Sequence, residues 1–358
     1  MSPTAPRCSL SIAAVTTTPD SVASTLADQM KRLGIDAHGQ VWAIKLNLTY
    51  PEYLPGVVNS PIFVEGLCQW ATASGLKLIF VEGDGGNGTY SAQDAFDGNS
   101  VTAVAKRYGM RTRSLSERPW HWRETKVGVK TVRLPYSPFF AARPYDKFVT
   151  APLFKNHIFT TVTLGMKNLW GCIPNAYRMY YHHFLDHGIV ALHKELSPDL
   201  AIYDGLVGLR GPGPMDGRPV SMNSVMVATD AVEGDVAATT CIMGLDIKHV
   251  RHLKLAIAEG LALDDIPASR WDRDPAPFKR TDFVMERTLL NYATIALGQF
   301  PSLQRAVYHS AASKAIYSVV DRLRPGSAQR RLVDAKRRHV YHDIPFTDPG
   351  RDSSTGRD

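Results

Sequence analysis

The segment Ala151-Pro152-Leu153-Phe154-Lys155-Asn156-His157 runs on through Thr160, Thr161 and Thr163 to Gly165-Met166-Lys167-Asn168-Leu169-Trp170-Gly171. It sets two lysines, a histidine, two asparagines and three threonines in an apolar run. Lysine and histidine are hard to bury for packing alone. If Thr163–Trp170 opens a helix, its free N–H groups and dipole favour an anion there. Lys155, His157, Thr163, Lys167 and Asn168 could then converge on a phosphate or carboxylate. The alternative is a structural network of caps and satisfied polar groups.

Three further places carry chemistry. Lys45 lies inside the apolar run Val41–Leu46, and Asn47 follows that run. A lysine there is expensive to bury unpaired. It either reaches the sheet edge or holds an anion, with Asn47 adding a directional hydrogen bond. The run Leu78–Val81 leads into Glu82-Gly83-Asp84-Gly85-Gly86-Asn87-Gly88, which satisfies G-x-G-x-x-G literally. Glu82 and Asp84 would set negative charge beside a pyrophosphate, and no ribose-binding acid follows about 20 residues on, so the dinucleotide reading is rejected. A flexible loop remains, or one whose acids meet a cation or take a proton. His182, His183, His187 and His193 form the third group, on a Tyr-rich segment. His183 and His187, four apart, would share a helix face and could ligate a divalent metal with Asp84, Asp186 or Asp204. They equally suit partly exposed packing, or proton transfer by one of them. Asp204, at the end of a strand-like run, is a candidate acid or ligand. Asp230 reads as a helix cap. Asp235 either faces the site or complements the helix dipole.

These residues need a scaffold, and the chain alternates strand-like and helix-like segments. Ser9–Val15 and Val41–Leu46 read as strands. The segments Leu78–Val81, Lys147–Ala151, Leu200–Tyr203 and Ser224–Ala228 read likewise. Ser21–Leu33 reads as a helix closed by Gly34, with Val22, Leu26, Met30 and Leu33 on one face. Ser60-Pro61 opens a second helix with Val64, Leu67, Cys68 and Ala71 buried. Ala92–Tyr108 reads as helical. Asp230-x-x-Glu233 starts a helix stopping at Gly244, and Val250, Leu253 and Ile257 mark another. The rhythm predicts a three-layer α/β fold with a mostly parallel sheet and a helical C-terminal extension. In such folds sites lie just past the carboxyl ends of the strands. The expected organisation is an α/β domain over 1–265, a basic helical extension over 266–346 and a disordered tail over 347–358.

A hydrophobic fraction of 44% and a charged fraction of 21% over 358 residues exclude pervasive disorder. No apolar run approaches the roughly 20 residues that span a bilayer. The first residues lack the order of a secretory signal. Cys8, Cys68, Cys172 and Cys241 are widely spaced and form no C-x-x-C pair, so reduced thiols and a cytoplasmic location are expected. The net charge of +7 sits mostly at one end. From Ala268 onward 16 Lys+Arg face 10 Asp+Glu, which leaves the rest nearly neutral. Arg322, Arg324, Arg330, Arg331, Lys336, Arg337 and Arg338 carry that excess. They form a solvated helix face or dock RNA, anionic lipid or an acidic partner. No specific nucleic-acid motif, Walker A motif, G-x-S-x-G elbow or kinase signature is present.

Taken in order, five blocks carry a resemblance. They are IKLNL at 44–48, VEG at 81–83, APLFKNHIFTTVTLGMKNLWGCIP at 151–174, IYDGLVGLRGPGP at 202–214 and ATDAVEGDVAATTCIMG at 228–244. Over about residues 40–260 the chain resembles the bacterial and archaeal family of unknown function numbered 362. Many relatives carry a cysteine-rich ferredoxin-type segment. This chain lacks those cysteines, so an iron–sulphur cluster does not carry over. The family implies a fold and a site location but no reaction.

The expectation is therefore an enzyme acting on a small anionic metabolite. Lys45, Asn47, Lys155, Thr163, Lys167 and Asn168 would bind the anion. His157 or His183 would move a proton, with Asp204 or Asp84 orienting it, and a divalent metal would sit at His183, His187 and Asp84 if one is used. The alternative is a non-catalytic anion- or metal-binding accessory protein docking through its basic tail. Self-association, or an acidic partner on that tail, is compatible with either.

Overall fold

The computed structural model describes residues 8–300, 302 and 303. The basic residues from Arg322 to Arg338 and the tail 347–358 lie outside the described residues. In chain order the first elements are β1 (Leu10–Ala14), α1 (Pro19–Leu33), β2 (Val41–Lys45), α2 (Pro61–Ala73), β3 (Lys77–Glu82), α3 (Ala92–Gly98), α4 (Val101–Arg107) and β4 (Arg111–Ser114). A hairpin β5 (His121–Val127) and β6 (Lys130–Tyr136) follows, then α5 (Pro138–Ala142), β7 (Lys147–Thr150), β8 (Leu153–His157), β9 (Thr161–Val162) and α6 (Leu164–Asn168). The rest comprises α7 (Leu185–Leu196), β10 (Leu200–Arg210), β11 (Arg218–Ala228), α8 (Ala231–Ala237), α9 (Arg251–Ala258) and α10 (Leu289–Gly298).

Local chemistry explains the helix ends. The Thr18 hydroxyl accepts from the Ser21 N–H, Pro19 opens α1, and Gly34 closes it at φ 68°. Ser60 caps α2 in the same way ahead of Pro61. The Asp230 carboxylate accepts from the N–H groups of Val232 and Glu233 at the start of α8. The expected single helix over Ala92–Tyr108 is two helices. Gly98 lies so close to the chain that a Cβ there would fall 1.9 Å from the Pro51 carbonyl oxygen. Ser100 turns the backbone at φ 62° before α4 begins.

The main sheet runs β1-β11-β10-β7-β2-β3-β4. All pairings from β10 to β4 are parallel, while β11 pairs antiparallel with both β10 and β1. The two short strands expected at Leu200 and Ser224 are ends of 11-residue hairpin arms. β8 continues beside the outer half of β10, and β9 folds back on β8. Alternation along each parallel strand feeds two cores. Trp42, Ile44, Leu78, Phe80, Val149 and Ile202 face the layer of α1, α2, α3 and α4. Ala43, Ile79, Val81, Phe148, Ala201 and Tyr203 face the layer of α6, α7, α8 and α9. The three-layer, mostly parallel architecture is therefore present, with α10 as a C-terminal helical part.

Going outward from β2, the strand order runs to β3 and β4 on one side and to β7 and β10 on the other. Right-handed crossovers then send the helices to opposite faces, which opens a crevice between the carboxyl ends of β2 and β7. Lys45 ends β2 and Thr150 ends β7, side by side in register.

Trp42, fully buried, packs its ring 5.5 Å from that of Trp70 at the centre of the first core. Trp42→Ala is expected to lower unfolding stability by about 3–5 kcal/mol in urea denaturation. A loss under about 1 kcal/mol would contradict this packing.

Candidate functional site

The residues at the β2/β7 crevice are largely tied to one another. Lys45 is 1% exposed, and its Nζ lies 2.6 Å from the Glu82 Oε1 and 2.5 Å from the Leu46 carbonyl oxygen. The other Glu82 oxygen accepts from the Leu48 N–H. Gly171 lets this pair form, since a Cβ there would fall 2.7 Å from the Lys45 Nζ. Asn168 donates through its amide to the Lys45 carbonyl and the Thr150 hydroxyl, bridging the two strand ends.

Lys155 is wholly buried and donates to Asn47 Oδ1 at 2.8 Å, Thr49 Oγ1 at 3.3 Å and the Val57 carbonyl at 2.7 Å. Three acceptors match the three donors of an ammonium. Burial, then the charges of Lys167 and Lys45, hold its pKa well below the ordinary lysine value. Asp204 grips the same loop from β10. It accepts from the Ser60 N–H, the Asn59 amide and the Leu206 N–H, and burial pushes its carboxyl up to about 6. Lys155 and Asp204 thus fasten the segment between β2 and α2.

The start of α6 does hold an anion, and that anion belongs to the protein. Asp235 accepts from the N–H groups of Gly165 and Met166, each at 2.7 Å, and from the Tyr203 hydroxyl at 2.7 Å. Burial pushes the Asp235 carboxyl up to about 7 against the pull of these donors. The helix terminus expected to bind an external phosphate is already filled. The sequence gives Asp235 two roles, facing the site or complementing its own helix. In the structure it caps α6 instead.

Of the expected anion ligands, Lys45, Asn47, Lys155 and Asn168 are thus committed internally. Lys167 and Thr163 are not. The Lys167 Nζ has no hydrogen bond or ion pair among the described residues; its nearest aromatic partner is the Trp170 ring, 5.9 Å away. Burial, then the charges of Arg178 and Lys45, bring its pKa down to about 7. Near it, among the described residues, buried groups stand without partners: Trp170 Nε1, His182 Nδ1 and both ring nitrogens of His252, with Thr163 Oγ1 at the start of the same helix. Burial, then Lys167, pushes His182 and His252 down to about 3, and they are neutral imidazoles. His157 is lowered well below the usual histidine value by burial, then by Lys167 and His182. Its Nδ1 accepts from the Phe159 N–H, so its Nε2 carries the proton. Arg178 donates to the carbonyls of Ile173 and Asp84 and pairs with no carboxylate among the described residues.

His183, His187 and Asp84 are not brought together. His183 is exposed, with Nδ1 against the Tyr180 carbonyl. His187 stands on α7 beside Asp186, and Asp84 accepts from the Ala92 N–H. Among the described residues no three His, Cys, Asp or Glu side chains group as metal ligands. The glycines after β3 serve close packing: a Cβ at Gly83 would fall 2.5 Å from the Gly171 carbonyl oxygen, and one at Gly85 2.3 Å from the Tyr90 ring. His252 and Arg178 join the cluster without having been expected from the sequence. His252 enters the cluster because α9 packs on α7. All four cysteines are free thiols.

Glu82→Leu strands the Lys45 charge and is expected to lower stability by about 3–5 kcal/mol, whereas Lys45→Met with Glu82→Leu recovers most of it. Denaturant titration of the two variants checks this, and equal losses would contradict an isolated buried pair. Lys167 behaves differently. Its folded pKa near 7 lies below the ordinary 10.5, so its desolvation penalty is full below pH 7 and gone above about pH 10.5. Lys167→Met is therefore expected to be more stable than the parent at pH 7, with the gap closing toward pH 10. A gap that does not change with pH would show that Lys167 titrates normally.

The family described as a domain of unknown function, DUF362, matches residues 43–240, which hold the whole cluster except His252. The thylakoid-associated protein sll1697 of Synechocystis is 32% identical over 110 residues, covering 28% of this chain. The chain spans about a third of the length of that curated relative. No solved structure matches the chain. With its model covering more than half of the sequence, the chain belongs to the DUF362 family.

Proposed function

We propose that the protein is an enzyme that binds a small anionic metabolite, bearing a phosphate or carboxylate, at the Lys167 cluster and moves a proton on it. One observation carries this reading. Lys45, Lys155, Lys167 and Arg178 share a buried zone in which Glu82 is the carboxylate paired with a lysine, and the groups around Lys167 lack partners. A buried cation without a counterion and buried donors without acceptors are each unfavourable. An anion removes both penalties at once.

The residues divide the work. Arg178 supplies a fixed positive charge, that of Lys45 being offset by Glu82, and Lys167 adds charge when protonated. The Thr163 hydroxyl and Trp170 N–H offer directional donors. His157 presents its Nε2–H as a hydrogen-bond donor, and His182 or His252 presents a free ring nitrogen as proton acceptor. His183, although four residues from His187, lies on the surface and serves here as a control position.

Isothermal titration of the full chain with sulfate tests the reading, because sulfate keeps its charge across neutral pH. Binding stabilises protonated Lys167, so affinity is expected to fall by up to about tenfold per pH unit above pH 7. Lys167→Met is expected to abolish binding, and His183→Gln to leave it intact. Absence of binding, or binding untouched by Lys167→Met, would sink the proposal.

A second reading is a docking protein at a membrane surface. The relative's name supports it, as do exposed Leu289, Tyr292, Phe300 and Leu303 around α10. Among the described residues no helix is long and apolar enough to cross a membrane, so this docking would be peripheral.

A further inference from the structure

We infer that Lys167 acts as a nucleophile, forming an imine with the carbonyl carbon of a small 2-oxo acid held in its cluster. The inference rests on the anion-site reading above and names its substrate class. The three buried lysines differ in their surroundings. Lys45 is locked to Glu82 and the Leu46 carbonyl, and Lys155 is saturated by three oxygens. Among the described residues Lys167 has neither, and its Nζ has no acceptor to orient a third proton. An amine can attack a carbonyl only through a free lone pair, and an acceptor-saturated ammonium has none. Burial beside Arg178 and Lys45 favours the free amine and lowers the Lys167 pKa.

The same neighbours suit the rest of the substrate. A 2-oxo acid sets a carboxylate next to its carbonyl. Arg178, with no carboxylate partner among the described residues, supplies the charge for that group. In the step, the neutral Lys167 nitrogen forms a bond to the carbonyl carbon as the C=O π bond breaks, leaving an alkoxide toward which His157 directs its Nε2–H as a hydrogen bond. One proton of the nitrogen passes to an unpartnered imidazole, His182 or His252, and from it to the alkoxide, giving a neutral carbinolamine. The second N–H proton follows the same relay to the hydroxyl, which leaves as water as the C=N bond closes. Both protons lost by the nitrogen end on the water, no electrons are gained or lost, and the sum is amine plus carbonyl to imine plus water.

Pyruvate with cyanoborohydride tests the inference on the full chain, since hydride reduces an imine to a stable amine. Intact-mass and peptide analysis is expected to find one pyruvate-derived adduct, on Lys167, absent in Lys167→Arg and Lys167→Met. Adduct formation is expected to rise as the pH passes upward through about 7, whereas sulfate affinity falls over the same range. The opposite signs separate the two readings. Sulfate binding without an adduct overturns the nucleophile and leaves the anion site. Loss of both overturns both. An adduct on surface lysines that spares Lys167 overturns the nucleophile as well. A folded Lys167→Arg, checked by its unfolding transition, keeps loss of the adduct from being mistaken for loss of structure.

Discussion

The organisation of this protein follows from the difficulty of keeping positive charge away from water. Three lysines end at or near the carboxyl edge of one sheet, each at most 9% exposed. A buried ammonium needs a counterion, a full set of acceptors, or loss of its proton. The fold uses each solution once. Glu82 meets Lys45 directly, with Gly171 leaving the room. Three oxygens from one loop surround Lys155. Among the described residues Lys167 receives neither and moves toward the neutral amine. The loop between β2 and α2, the bridge from Asn168 and the close approach of Gly171 are consequences of the first two solutions. The reactivity we propose for the site rests on the third.

Topology makes this arrangement accessible. The strand order reverses at β2 and β7, and helices cover opposite faces on either side. The strand ends are thereby left open between two layers. α6 closes one side of the opening, and its position is set by Asp235 reaching from α8 to the N–H groups of Gly165 and Met166. Because a carboxylate of the protein fills that terminus, the helix cannot also recruit a ligand there. The positive field on the anion we propose would therefore come from side chains rather than from backbone dipoles.

Much of the scaffold was legible in the sequence because its signals are local. Ser60-Pro61, Thr18-Pro19 and Gly34 mark helix ends, and the apolar run at Leu78 marks a strand covered on both faces. The break between α3 and α4 was hidden, since it depends on Gly98 meeting Pro51 from another part of the chain. The site was half legible. Lysine and histidine in an apolar block announced that something polar was buried there. Which cations were paired was not legible, because Glu82 lies 37 positions from Lys45 and Asn47 lies 108 from Lys155. His252 carried no local signal, standing as one histidine on an amphipathic helix. The spacing of His183 and His187 suggested a shared face, but the chain tightens into a 3₁₀ turn through Phe184 and only then enters α7. That change of pitch removes the geometry on which the metal reading depended.

The uncharged state of the histidines follows from the same constraint as the lysines. Each imidazole near Lys167 would, if protonated, add a cation to a zone whose paired carboxylate is already engaged with Lys45. Neutral rings relieve that repulsion while keeping both a donor and an acceptor available. An arriving anion reverses the balance, since it rewards every proton taken up by Lys167 or the imidazoles. A carbonyl without an anionic group would gain nothing from Arg178 and would leave the donors around Lys167 unfilled. A simple anion would fill the donors but give the amine nothing to attack. A molecule carrying both groups on adjacent carbons would satisfy the field and the nucleophile together, and this coincidence of demands is the ground for the substrate class we propose.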